Sequence, residues 1–150
     1  MKYYEDFKVG ERCTLKGSYH ITREEIIEFA SRWDPQPFHI DEQAARDSIF
    51  GGIVACSSHI LTASIAIATT SEQEASAAVS NLGFKEIRML APVRPGDTLI
   101  SVEEILEKRL SKRYPGCGIV TFIDDIYNQH DERVATFQTS ALFRCRGEDA

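Results

Sequence analysis

The sequence has no basic block. Its 17 Lys and Arg are outnumbered by 23 Asp and Glu, for a net charge of −6 with histidine neutral, whereas a nucleic-acid surface needs clustered cations to meet the phosphates. No nucleic-acid partner is therefore expected. Nor is there an apolar run fit for a membrane. The longest stretch, Ile53–Ala68, is broken by His59 and several serines and falls short of the roughly 20 residues that a spanning helix needs. The first ten residues are polar and of mixed charge, so no secretory leader is expected. Cysteine is scarce and unpatterned. Cys13, Cys56, Cys117 and Cys145 form no C-x-x-C pair and no metal-ligand spacing with histidine, which gives no reason to expect a metal site. Cys13 and Cys145 lie in alternating apolar patterns and read as small buried hydrophobes. A chain of this length can bury a core without disulfides, so a reduced, cytoplasmic protein is expected, with a two-bridge secreted protein as the alternative. Repeats, linkers and low-complexity tracts are also missing, and residues 1–150 read as one domain.

What is present is a globular composition, 43% apolar and 27% charged. Arg12–Thr22 alternates, with Cys13, Leu15, Gly17, Tyr19 and Ile21 on one face, and predicts a half-buried strand. Thr22 and Glu25 form a T-x-x-E capping box that opens a helix, and Ile26, Phe29, Ala30 and Trp33 give that helix one apolar face. Pro35 and Pro37 stop it. Asp41 is placed to cap a second short helix reaching about Asp47. Ile53 to about Thr70 is apolar or small on nearly every face, which predicts a long buried helix. Ser71–Ser80 reads as a flexible polar connection. Strands are predicted over Leu82–Leu90, Thr98–Leu110, Gly118–Asn128 and Arg133–Arg146, joined by short Pro, Gly, Asn and Asp turns that favour antiparallel pairing. The sum is an α+β domain in which an antiparallel sheet wraps one buried central helix.

Chemistry concentrates between the first two helices, in Asp34-Pro35-Gln36-Pro37-Phe38-His39-Ile40-Asp41. Two prolines stiffen a loop that carries a carboxylate and an imidazole, and such a pair can orient and deprotonate a water. A turn aspartate and a histidine satisfying a backbone carbonyl would give the same residues, and spacing alone does not bring the side chains together. Elsewhere, His59 reads as a hydrogen-bonded core histidine, and His20 and His130 as exposed strand and turn residues. Asp124 and Asp125 are adjacent, so they point to opposite faces of a strand and form no dyad. Lys108, Arg109, Lys112 and Arg113 are the densest basic cluster, either a solvated turn or, with Arg88 or Arg94, a set of phosphate contacts.

The Asp34–Asp41 loop, Gly51-Gly52-Ile53-Val54-Ala55 and Ala91-Pro92-Val93-Arg94-Pro95-Gly96-Asp97-Thr98-Leu99, with an opening Tyr4-Glu5-Asp6-Phe7-Lys8-Val9-Gly10-Glu11, resemble the MaoC-like dehydratases, which include the (R)-specific enoyl-CoA hydratases of the hot-dog fold. The resemblance runs in order from about residue 3 to residue 146. It implies reversible hydration of a trans-2-enoyl-CoA to a 3-hydroxyacyl-CoA, with Asp34 and His39 as the catalytic pair. It implies backbone N–H groups at the start of the central helix, around Ser57 and Ser58, meeting the thioester oxygen. Thr62 falls at a hydroxyl position of some hydratases, and Arg88 and Arg94 are candidates for the coenzyme A phosphates. No metal or redox cofactor is implied, the coenzyme A thioester being substrate, and the partner is a second copy, as a homodimer or dimer of dimers. The chain departs from the family in carrying Ser57 at the usual glycine and Gln36 at the usual asparagine. Thioester hydrolysis on the same fold and a non-catalytic acyl-thioester-binding domain are the alternative functions.

Overall fold

The computed structural model describes residues 1–71 and 75–147. After a one-turn 3-10 helix at Tyr4–Asp6 come β1 (Arg12–Thr14), β2 (Tyr19–His20), α1 (Arg23–Trp33), α2 (Pro37–Ile40), α3 (Glu42–Asp47), α4 (Ser57–Thr70), β3 (Ala78–Met89), β4 (Thr98–Leu110), β5 (Cys117–Tyr127) and β6 (Arg133–Arg144). The sheet is antiparallel in the order β1-β4-β5-β6-β3, with β2 also paired to β4. The strand expected over Arg12–Thr22 is thus two short ones. The break falls at Gly17, whose N–H donates to Ser71 Oγ at 2.6 Å at the end of α4. A Cβ at Gly17 would lie 2.4 Å from that oxygen, so only glycine permits the approach.

α1 opens as expected, with Thr22 Oγ1 accepting from Glu25 N at 3.2 Å. Its inward face is narrower than expected: Ile26 and Ala30 are fully buried, but Trp33 is 64% exposed. Pro37 does more than end a helix, since it takes the first position of α2, where its missing N–H is no loss. Asp41 caps α3 by accepting from Ala44 N at 2.7 Å. The central helix starts at Ser57 rather than Ile53, because Ile53–Cys56 runs extended and buried, with Ala55 N on Val93 O at 2.9 Å. The helix is not enclosed on all sides. His59, Ile60, Ala63, Ser64 and Ile67 face the core, while Ser58, Thr62, Ile65 and Thr69 form an exposed stripe at helical spacing. β3 begins within the connection expected over Ser71–Ser80, residues 72–74 of which lie outside the described residues. Cys13 is exposed and Cys145 half-buried, contrary to expectation, while Cys56 is buried; all three, with Cys117, are free.

Two apolar clusters result. The larger joins Ile21, Ile26, Ile60, Ile67, Leu99, Ile126 and Val134 beneath α4. The smaller joins Phe7, Ile105, Val120 and Phe143 at the other end of the sheet. The separation follows from lengths. α4 has 14 residues, about 21 Å at ~1.5 Å per residue, whereas the 13 residues of β4 reach about 43 Å at ~3.3 Å each. Phe7 and Tyr4 cover part of what α4 leaves open, and Gly118 admits the Tyr4 ring where a Cβ would lie 2.2 Å from it. Among the described residues no helix is long and apolar enough to cross a membrane.

Candidate active site

Asp34 is the residue on which α1 ends; its N–H still donates to Ala30 O at 2.8 Å while its φ of −156° and ψ of 73° leave the helix. Pro35 and Pro37 then turn the chain into α2, which carries His39 inward to 6% exposure. His39 Nδ1 lies 2.6 Å from Val54 O. A carbonyl oxygen only accepts, so Nδ1 carries the proton, and Nε2 of the neutral ring keeps its lone pair. That nitrogen is 3.6 Å from Asp34 Oδ2. Two acceptors at this separation share no direct hydrogen bond, but a water beside them can donate one hydrogen to each. Phe38 walls the site, its ring 4.4 Å from that of His39 and 5.5 Å from Phe50.

The carbonyl that orients His39 belongs to Val54, three residues before α4. The start of α4 is therefore tied to the pair. The helical ladder opens with His59 N and Ile60 N, both on Cys56 O at 3.1 and 3.2 Å. The N–H groups of Ser57 and Ser58 precede it, and no side chain caps the helix. Both serines are exposed, so the side chain at Ser57 stands out of the core. Thr62 Oγ1 donates to Ser58 O at 2.8 Å, which commits its proton to the helix backbone. Arg94 Nη2 donates to Phe50 O at 2.8 Å, which holds that side chain over the loop leading to α4. Arg88 lies apart, exposed on β3 and 3.5 Å from Glu86 of a bulge in that strand.

The phosphate role weighed for Lys108 is corrected. Lys108 Nζ donates to the carbonyls of Tyr4, Glu5 and Phe7 at 3.2, 3.4 and 2.8 Å and sits 4.5 Å over the Tyr4 ring. It is a structural anchor for the N-terminal segment, and its neighbours Arg109, Lys112 and Arg113 share the end of β4 remote from Val93 and α2. His59 is buried as expected, stacked at 4.3 Å on Phe29, but its Nδ1 has no hydrogen-bond partner among the described residues. Its Nε2 lies 3.6 Å from Glu25 Oε1, whose carboxylate also accepts from Tyr19. Burial holds the His59 pKa below the ordinary value despite that carboxylate.

One acidic pair was missed. Asp125 does face away from Asp124, 3.4 Å from Arg133. Asp124, however, lies opposite Glu103 of β4 and hydrogen-bonds with its side chain. Asp124 is 5% exposed, takes a 2.7 Å hydrogen bond from Thr139 Oγ1, and is pushed up to about 6, chiefly by burial. The available signal was its place in the inward alternation Val120, Phe122, Asp124, Ile126.

Comparison with known proteins gives these features a context. A MaoC-like dehydratase from Rhodospirillum rubrum matches with a TM-score of 0.87 and 32% identity, over 97% of this chain and 98% of its own. The (R)-hydratase PhaJ1 from Pseudomonas aeruginosa shares the fold, with a TM-score of 0.74 and 22% identity over 96% of this chain and 86% of its own. The uncharacterized protein YdeM of Bacillus subtilis is 26% identical over 93% of this chain and 97% of its own length. The sheet folded about α4 is the hot-dog fold. With the MaoC like domain model matching residues 6–124 as well, the chain belongs to the MaoC-like domain family.

Proposed function

We propose that the protein is a hydro-lyase acting on acyl thioesters, adding water to a trans-2-enoyl-CoA or removing it from a 3-hydroxyacyl-CoA. The family and its likeness to hydratases support hydratase or dehydratase chemistry broadly. The observation that carries the finer reading is the His39 geometry: Val54 O fixes the tautomer, so the free Nε2 and the Asp34 carboxylate face one another across 3.6 Å.

In hydration, the water held by Asp34 and His39 gives up a proton to the pair as its oxygen bonds to C3. The C2=C3 electron pair moves toward the thioester carbonyl, whose oxygen becomes an enolate oxyanion. The N–H groups of Ser57 and Ser58 receive that charge, with the partial positive end of α4 behind them. The proton then passes from the pair to C2 and the carbonyl re-forms. Dehydration retraces these steps. The residues supply acid, base and oxyanion donors without calling on a metal or redox group, and Arg94, held over the loop leading to α4, is the candidate cation for a coenzyme A phosphate.

A second copy completes the proposal. β3 is an edge strand bearing exposed Val79, Leu82, Ile87 and Met89. An open edge with apolar flanks favours pairing with another strand, and light scattering should give a dimer or tetramer mass. The deciding experiment screens crotonyl-CoA and longer or branched enoyl-CoAs for loss of the enoyl absorbance and for free thiol. Hydration abolished in His39→Gln supports the reading. Thiol release from saturated acyl-CoA instead assigns a thioesterase, and stabilisation by acyl-CoA without turnover assigns a binding protein.

A further inference from the structure

The segment Phe50–Ala55 carries the carbonyl that orients His39, and its middle has unusual backbone freedom. Gly51 adopts a φ of +68° and Gly52 follows it, so two adjacent residues lack the Cβ that narrows backbone choice. Burial of Ile53 and Val54 orders their side chains, but the direction of the Val54 carbonyl depends on the backbone torsions around it. That direction matters. Val54 O lies 2.6 Å from His39 Nδ1 and decides which ring nitrogen carries the proton.

One dipeptide, Val93–Arg94, clasps both ends of the segment. Val93 O accepts from Ala55 N at 2.9 Å, one residue past Val54. Arg94 Nη2 donates to Phe50 O at 2.8 Å, just before the glycines. The guanidinium lies close to them, since a Cβ at Gly52 would stand 3.8 Å from Arg94 Nη1. The dipeptide is itself held. Asp97 is 8% exposed and accepts from Arg94 N and from Gln129 Nε2, both at 2.9 Å, while Ile21 N donates to Asp97 O at 2.9 Å. Phe50 adds a second route to the site, its ring 5.5 Å from that of Phe38, which is 4.4 Å from that of His39. A hydrogen bond from a charged donor is stronger than one between neutral groups, and this one closes a span that the glycines leave loose.

We propose that Arg94 is a positioning residue for His39. By holding Phe50 O it fixes the Phe50–Ala55 backbone, and with it the Val54 carbonyl that keeps the His39 proton on Nδ1 and leaves Nε2 free for water. The use of this role in catalysis rests on the hydro-lyase reading, and it is distinct from any contact of Arg94 with a coenzyme A phosphate.

Two thioesters separate the two roles. Crotonyl-CoA carries the phosphates, whereas the N-acetylcysteamine thioester of crotonate carries none. Arg94→Met keeps the side-chain stem and removes every donor; Arg94→Lys keeps the charge and a donor. Arg94→Met should lower kcat/KM for the N-acetylcysteamine thioester by about ten- to a hundredfold, as expected of a misplaced reacting group, and Arg94→Lys should recover part of that loss. Long-range proton–nitrogen NMR correlations read the His39 tautomer directly. The parent chain should show the neutral ring protonated at Nδ1, and Arg94→Met should show a measurable share of the Nε2–H form. Arg94→Gln takes the place of Arg94→Met if that variant does not fold. A loss confined to KM for crotonyl-CoA, with turnover of the N-acetylcysteamine thioester unchanged, overturns the proposal, as does an unaltered His39 tautomer in the folded variant. Absence of turnover by the parent chain would refute the hydro-lyase reading, and the tautomer comparison would still decide the role of Arg94.

Discussion

The two ends of α4 each hold a carboxylate beside a second titratable group, yet they are built for different chemistry. At the N-terminal end, the Asp34 side chain is 36% exposed and faces the free nitrogen of an imidazole locked by a backbone carbonyl. Water reaches the pair, and two acceptors of different kinds can divide a proton between them. At the far end, Asp124 is 5% exposed and faces another carboxylate among phenylalanine rings. There the acid is held up to about 6 by burial. Solvent access and the identity of the neighbour, not the residue type, separate the pair proposed for proton transfer from a carboxyl that burial keeps protonated to higher pH.

Activity offers the largest contrast. Asp34→Asn and His39→Gln should each lower hydration of the best enoyl-CoA by about 10²–10⁴, the usual worth of a positioned acid or base. Asp124→Asn should leave kcat within a fewfold of the parent chain, and a comparable loss there, measured in the same steady-state assay, would erase the distinction between the ends. Stability comes next. Ile126 is fully buried in the larger cluster, so Ile126→Ala should cost about 2–5 kcal/mol. Ile105 already borders open space, and Ile105→Ala should fall near or below about 2 kcal/mol for want of a new void. Urea denaturation reads both, and equal losses would mean that the far end is as tightly filled as the near one.

Asp124 also sets a pH dependence. Its folded form holds a proton more tightly than the unfolded chain, whose carboxyl titrates near the ordinary ~3.9. Its contribution is therefore fully present below about pH 4 and is lost as pH rises through about 6. Stability should fall by up to about 2–3 kcal/mol over that window, read as a falling melting temperature, and Asp124→Asn should flatten the fall. The smallest effect concerns the near end. Thr22→Ala removes the cap on α1 and should cost about 1 kcal/mol in urea denaturation.

The near end was legible because its determinants are local. Asp34, Pro35, Pro37 and His39 lie within one turn-and-helix segment, and the prolines and the Thr22 and Asp41 caps act on neighbouring backbone. The tautomer of His39 was not legible, since it rests on Val54 O, fifteen residues away in sequence. The reach of the central helix was overread for a related reason. Ile53–Cys56 is apolar enough for a buried helix, but its backbone is bonded to Val93 instead.

The far end was hidden by a single register shift. From the β4–β5 turn, Lys108 pairs with Val120 and Glu107 with Thr121; then a bulge intervenes and Ile105 pairs with Phe122. Without it, Glu103 would lie opposite Asp125 and turn with it to the outer face, because side chains alternate along a strand. The sequence by itself determined an acidic α+β chain, its caps, its strands and the Asp34–His39 loop, all from short-range periodicity and turn chemistry. Only the tertiary structure decided that β4 outruns α4, that a bulge turns Glu103 inward, and that Asp124 meets it in a cavity lined in part by phenylalanines. Those outcomes depend on lengths and registers summed over distant segments, which no local pattern records.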